Sequence, residues 1–448
     1  MDARLWIARN LAAAWLASEW TRTRLLAEAH GVLGPATRAA QRMLVRELFS
    51  KATGPYPPSP DWLASFLLQS AWFGTASARV AQKPKTVFPV LQPPKFAPSV
   101  RFAGLGVPRI VTPGDLARWL SVSIEHVDWF ADTRHLHYKT CVPTLQNYTY
   151  HFVPKRVGPP RLVEQPKPRL KAIQRQILHE ILDRAPVHPS AHGFVKKRSC
   201  LSAAQIHAQE GVVVTLDLRD FFVRTKVSRV HGLFRNLGYP SAVAFLLTGL
   251  CVTSTPRSVF ETLPEDKRHD RETHDLFEAP HLPQGASTSP ALTNLTSWKL
   301  DRRLSGLARS FEANYTRYAD DLTFSGDKSF AARLDAFLSG VKDIVVDEGF
   351  ALNGKKTRIM RRGGSQRVMG LMVNDHLNVP RKDYEELKAI LHNCRRNSPQ
   401  SENRAQLPDF RAHLDGRITW VENVNPKRGA KLRSVFENIK WQTGASEE

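Results

Sequence analysis

Cysteine is scarce in this chain. Cys141, Cys200, Cys251 and Cys394 lie far apart and form no C-x-x-C pair, which argues against a zinc ribbon or a disulfide framework and fits a reducing, cytoplasmic location. Long apolar runs are missing too. Nothing approaches the ~20 residues needed to span a bilayer, so no membrane partner is expected. The stretch Leu11 to Ala17 is followed by Glu19, Arg22 and Arg24 without a cleavage pattern, and reads as an amphipathic helix rather than a leader. Acidic residues are the third shortage, 42 Asp+Glu against 64 Lys+Arg for a formal net charge of +22. That balance points to a polyanionic partner held by salt-dependent phosphate contacts.

Where the charge lies matters more than its total, because scattered charge serves only solubility. Between Pro154 and Ser199 eleven Lys and Arg face only Glu164, Glu180 and Asp183, and from Asn353 to Arg367 six basic residues occur with no acid. With 448 residues, 42% of them hydrophobic, the chain is long enough for two or three packed domains.

Tyr318-Ala319-Asp320-Asp321 is the most informative stretch. It sets two adjacent carboxylates between the alternating runs Asn314–Tyr318 and Leu322–Ser325, closed by Gly326, so the pair belongs at the tip of a hairpin. Alone, an Asp-Asp pair reads as a solvated turn. What lifts it is a third acid in Val212-Val213-Val214-Thr215-Leu216-Asp217, where β-prone residues run straight into a carboxylate. Two-metal phosphoryl transfer needs carboxylates that hold two hard cations roughly 3.5–4 Å apart, and these three acids make such a set.

Seven blocks in a fixed order make the chain similar to the reverse transcriptases, and most closely to the bacterial retron reverse transcriptases. After Phe152-Val153-Pro154-Lys155 come Arg161-Leu162-Val163-Glu164 with Leu170-Lys171-Ala172-Ile173-Gln174; Ala191-His192-Gly193-Phe194 with Lys197-Arg198-Ser199; the Asp217 strand; Leu282-Pro283-Gln284-Gly285 with Thr288-Ser289-Pro290; the Tyr318 hairpin; Leu352-Asn353-Gly354-Lys355-Lys356-Thr357; and Val368-Met369-Gly370. Two blocks depart from the retron pattern. Ala203-Ala204-Gln205-Ile206-His207 lacks the Asn of Asn-Ala-x-x-His, and Val368-Met369-Gly370 replaces Val-Thr-Gly and its hydroxyl. His207 reads as a satisfied surface or core histidine.

Helical spacing of apolar residues makes a helical extension over 1–90 and Pro-rich composition a linker over 91–112, and after them the resemblance implies an α+β right-hand polymerase with fingers over 113–200, a palm with an antiparallel sheet over 201–375 and a helical thumb over 376–448. Residues before the linker receive no functional role. By the same resemblance Asp217, Asp320 and Asp321 are catalytic and, with Leu218, hold two Mg²⁺, for which Mn²⁺ can substitute. Lys155 and Arg161 match residues that grip dNTP phosphates. Asp220 and Phe221 approach the triphosphate through backbone N–H groups, and Phe222 matches the steric gate against a ribose 2′-OH. Gln284 lies along the nucleotide, and Lys356 sits near the pyrophosphate, a role open to Lys355 as well. Helices are expected over Asp383–Arg395, Pro408–Val421 and Lys427–Trp441, with Arg411, Arg417, Lys427, Arg428 and Lys431 tracking RNA and with Trp420 and Trp441 either stacking or in the core.

The function implied is DNA synthesis on a cognate structured non-coding RNA, primed from an RNA 2′-OH to give a branched RNA–DNA product (msDNA), in antiphage defence with an effector protein. The stretch after residue 374 is too short for an RNase H domain, so a host RNase H is expected to remove the template. The competing readings are a group II intron-like or diversity-generating reverse transcriptase and a non-catalytic RNA-binding scaffold.

Overall fold

The Ala, Leu and Arg-rich start of the chain folds as helices, Ala3–Ala17, Arg22–Leu33 and Arg38–Lys51, because its apolar side chains recur every three to four residues. A computed structural model describes residues 3–18, 20–52, 57–58, 60–81, 94–133, 142–155, 158–264, 267 and 270–441. The chain divides into two compact units, one holding residues up to Pro186 together with Asp220–Ser297, the other holding Val187–Arg219 and everything from Trp298 onward.

In the first unit the three opening helices and two more, Pro60–Gln69 and Ala71–Ala81, close around Leu11, Trp15, Leu44, Leu63 and Phe73. Trp15 is fully buried and its indole N–H donates to the Leu25 carbonyl at 2.8 Å, so its polar edge is satisfied inside the core. Thr112 and Asp115 form a reciprocal capping box that opens the helix Pro113–Trp119. Downstream, β1 (Tyr148–Val153) pairs antiparallel with β2 (Arg161–Pro166), Val153 opposite Arg161. A small core of Leu162, Val223, Phe260 and Phe277 lies beneath the hairpin.

The second unit is built on a four-stranded antiparallel sheet. Its strands are β3 (Val212–Asp217), β4 (Asn314–Tyr318), β5 (Asp321–Gly326) and β6 (Arg358–Arg361), in the order β4-β5-β3-β6. Val212, Val213 and Val214 have no exposed surface, as expected of a strand paired on both edges. Fully burying a Val or Phe contributes about 1.5–3 kcal/mol, and Phe324, Phe330 and Phe337 add a buried aromatic cluster with ring centroids 4.9–5.0 Å apart. Strand β6 was not legible in the basic run from Lys355, because its pattern is set by pairing with β3. A two-residue pair, β7 (Arg367–Val368) and β8 (Leu371–Met372), follows.

Helices Arg381–Arg396, Phe410–Val424 and Pro426–Glu437 pack around Leu387, Leu391, Leu414, Ile418, Leu432 and Phe436. Their starts are fixed by Pro380, by the Asp409 side chain on the Ala412 N–H and by the Asn425 side chain on the Arg428 N–H. These caps explain why the helices begin a few residues from the starts read off the sequence. The α+β class is what the structure has. His207 is a core histidine: fully buried, it bonds Ser325 Oγ and Thr316 Oγ1 at 2.8 Å each, and burial pushes it down to about 3. Cys200, Cys251 and Cys394 are free thiols, and Cys141 lies outside the described residues. Among the described residues no helix is long and apolar enough to cross a membrane.

Candidate active site

The β4–β5 register pairs Tyr318 with Asp321, which leaves Ala319 and Asp320 as a two-residue turn. Ala319 has φ +55°, a left-handed conformation costing an L residue with a Cβ about 1–2 kcal/mol. The surroundings hold it there. Leu218 N–H donates to the Asp320 carbonyl at 2.9 Å, and Arg317 Nη1 donates to the Ala319 carbonyl at 3.2 Å. Arg317 is itself fully buried in a bidentate pair with Asp301, Nε to Oδ1 and Nη2 to Oδ2 both at 2.7 Å. Tyr315 donates its hydroxyl to the same carboxylate at 2.9 Å.

The segment Ser190–Gly193 lies along β4, with His192 N–H on the Arg317 carbonyl and Arg317 N–H on the Ser190 carbonyl, both 2.7 Å. A Cβ on Gly193 would meet the Ala319 nitrogen at 2.5 Å. Only glycine lets this segment approach the turn so closely.

Asp217 ends β3 directly opposite Asp321 on β5. Residues opposed across a strand pair share one face of the sheet with Cβ atoms about 4.5–5.5 Å apart, so two carboxylates face the same side and Asp320 stands at the adjoining turn. All three line one cavity of about 380 Å³ with Thr215, Lys356, Arg358, Arg367, Met369 and Gly370. Like charges so placed destabilise one another. Burial, then the Asp320 charge, then that of Asp217, pushes Asp321 up to about 6, with Lys356 opposing the rise. Lys356 Nζ contacts Asp217 Oδ2 at 2.7 Å, and that hydrogen bond holds the ammonium above its ordinary value. The backbone at Asp217 is pinned by the Asn353 N–H at 2.8 Å.

An oxygen-only donor set with an excess of negative charge fits a hard divalent cation. As they stand, no three acidic, imidazole or thiolate groups among the described residues are gathered around a metal position. Lys356 instead takes one oxygen of Asp217. The structure thus brings Asp217, Leu218, Asp320, Asp321 and Lys356 together in the second unit.

Lys155, Arg161, Asp220, Phe221, Phe222 and Gln284 belong to the first unit. Lys155 and Arg161 are exposed at the turn end of the β1–β2 hairpin, on either side of the loop that joins the strands. Asp220 has φ +51° and accepts the Arg224 N–H at its carbonyl, 2.8 Å, in the turn that follows β3. The Phe221 ring is buried and the Phe222 ring half-buried, their centroids 6.1 Å apart. Gln284 is seated on β2, its carbonyl accepting the Glu164 N–H at 2.9 Å. Gly285 follows at φ +143°, where a Cβ would meet the Glu164 carbonyl oxygen at 2.7 Å.

Among the residues read as RNA contacts, Lys427 and Lys431 are exposed, whereas three others have partners within the chain. Arg417 pairs with Glu386 at 3.3 Å, the Arg428 guanidinium lies 4.9 Å from the Tyr384 ring centroid, and that of Arg411 lies 5.8 Å from Trp441. Trp441 packs on Phe436 with centroids 5.2 Å apart. Trp420 is not in the core: it is 41% exposed and lines a groove with Arg417, Leu387 and Met369.

Sequence reasoning did not single out Asp301, Arg317 or His281, and it gave Glu164 no role of its own. Asp301 carried a signal, since it falls three and seven residues before Leu304 and Ala308 on the apolar stripe of the helix Trp298–Ser310. A charge in that phase is buried and needs a partner.

With this geometry in place, comparison with known proteins gives a consistent result. The family model "Reverse transcriptase (RNA-dependent DNA polymerase)" matches residues 153–420. Over 337 residues the chain is 40% identical to the retron Mx65 reverse transcriptase of Myxococcus xanthus, covering 74% of this chain and 73% of that one. It is 36% identical over 345 residues to the retron Mx162 reverse transcriptase of the same organism, covering 74% and 67%. Against the retron Ec86 reverse transcriptase of Escherichia coli it is 29% identical over 358 residues, covering 78% and 96%.

Proposed function

The chain belongs to the reverse transcriptase family, in its bacterial retron branch, an RNA-directed DNA polymerase with the right-hand fold of that family, and from this premise we propose how its residues divide the work. Asp217, Asp320 and Asp321, with Leu218 beside them, hold two divalent cations, Mg²⁺ or Mn²⁺, once Lys356 releases Asp217. Bound there, such ions activate the attacking hydroxyl and neutralise the leaving pyrophosphate. Lys356, freed at the same site, offers its proton to the pyrophosphate. Arg161 and Lys155 take the triphosphate, Arg in the bidentate manner its planar fork allows. Asp220 and Phe221 present backbone N–H groups, Gln284 lies along the nucleotide, and Phe222 excludes the ribose 2′-OH.

We read residues 113–200 as fingers, 201–375 as palm and 376–448 as thumb, the last tracking RNA through Lys427, Lys431, Arg411, Arg417 and Arg428. The template is a cognate structured non-coding RNA, and priming from its 2′-OH gives a branched msDNA. A host RNase H trims the template. The product serves antiphage defence together with an effector protein in the cytoplasm.

The observation that carries the reading is the facing of Asp217 and Asp321 beside Asp320, three carboxylates in one cavity with Lys356. Its test is to sequence the nucleic acid co-purifying with the wild-type protein and with an Asp320→Asn/Asp321→Asn variant. One short DNA joined to one RNA, lost in the variant, is the expected result. Heterogeneous RNA without DNA in both, with defence retained by the variant, would mean a non-catalytic RNA scaffold.

A further inference from the structure

The Gln284–Gly285 loop meets β2 over a fully buried acid that the proposed chemistry does not use. Glu164 and His281 both have side chains with no solvent exposure, and His281 Nε2 lies 3.0 Å from Glu164 Oε2. His281 Nδ1 lies 2.7 Å from the Ala279 carbonyl. Both ring nitrogens therefore face acceptors, which suits a doubly protonated imidazolium. Burial by itself pushes that imidazole down, but the Glu164 carboxylate more than offsets this and holds it above its ordinary value. Glu164 Oε1 also accepts the Thr255 hydroxyl, and Oε2 accepts the Gln284 N–H at 3.3 Å. With the Glu164 N–H on the Gln284 carbonyl, one acidic residue grips the Gln284 peptide from both sides, three residues along the strand from Arg161.

We propose that Glu164 and His281 are positioning residues: a buried ion pair that fixes the Gln284–Gly285 loop to the strand bearing Arg161 and so sets how tightly the incoming deoxynucleoside triphosphate is held. This rests on the assignment of Arg161 and Gln284 as nucleotide contacts. A buried carboxylate whose acceptor sites are all engaged leaves the loop no low-energy alternative position. Removing its charge keeps the shape of the side chain but loosens the loop it holds.

The test is steady-state primer extension on an RNA template by the full-length protein, comparing wild type, Glu164→Gln, His281→Gln and Thr255→Val, with Arg161→Ala and Gln284→Ala as references. The expected result is a rise of roughly tenfold in the dNTP KM for Glu164→Gln and His281→Gln, and a smaller one for Thr255→Val, with kcat within about threefold, as for loss of binding rather than of a transition-state contact. An unchanged dNTP KM in these three, while Arg161→Ala raises it, overturns the positioning role alone. An unchanged KM in Arg161→Ala and Gln284→Ala overturns the nucleotide contacts, and the positioning role with them. Failure of both Glu164→Gln and Thr255→Val to fold also overturns it, the pair then being a core fastener only.

Discussion

Two acidic clusters in this molecule are treated in opposite ways. Around Glu164, one buried carboxylate has His281, Thr255 and the Gln284 N–H as partners. Around Asp321, three carboxylates share a cavity with Lys356, Arg358 and Arg367, Lys356 contacting Asp217 at 2.7 Å, and Asp321 is held up at about 6. The first cluster is closed and fixes backbone. The second lines a cavity, where burial and the mutual repulsion of its carboxylates raise one of them, a perturbation that marks candidate functional acids. The contrast is between an acid with buried partners on both carboxylate oxygens and acids crowded against one another at a cavity.

The comparison is broken most forcefully at the open cluster. Asp217→Asn or Asp320→Asn is expected to lower primer extension by roughly a thousandfold or more, the loss of several kcal/mol of charge stabilisation, with the thermal midpoint unchanged or higher. Substantial activity in either variant would remove the functional half of the contrast.

The next largest effect belongs to the other closed pair. Arg317→Met strands Asp301 in the core, and breaking a buried ion pair from one side costs about 3–5 kcal/mol. Urea denaturation should show that loss, and the freed Ala319 carbonyl should loosen the Ala319–Asp320 turn. A variant as stable as wild type would mean that the pair is not what holds the hairpin.

A pH series sharpens the contrast further. His281 is held above its unfolded value of 6.5, so the native protein binds its proton more tightly than the unfolded chain does. The stability this adds is fully present below about pH 6.5 and is lost as pH rises through the higher folded value. Chemical denaturation of wild type and His281→Gln should therefore give a gap that narrows with rising pH. A gap that widens would reverse the assigned charge state.

The smallest effect has the opposite sign. Asp321 is raised from 3.8 to about 6, so its ionised form weakens the metal-free fold at neutral pH. Asp321→Asn should raise the midpoint by a few degrees in chelator at pH 7, of order 1 kcal/mol given its open side, and the gain should vanish toward pH 4. A lowered midpoint would show that Asp321 is already compensated.

Much of the open cluster was legible beforehand. Tyr318-Ala319-Asp320-Asp321 lies at a hairpin turn, and Asp217 ends a core strand. These features depend on side-chain period and turn preferences within a few residues. The closed clusters were not legible. Glu164 and His281 are separated by 117 residues and Asp301 and Arg317 by 16, and nothing local says that an acid on a strand or helix will find its partner. Strand β6 was missed for the same reason, and only the structure decides between the two places left open for Trp420.

The sequence by itself determined that two acidic motifs sit at the ends of β-structure in a strongly basic chain, because strands and turns are set by neighbours along the backbone. Which acids end up paired in the core and which gather at one cavity was decided only by the tertiary structure, since burial and charge compensation are properties of what packs against a side chain, and those groups come from distant parts of the chain.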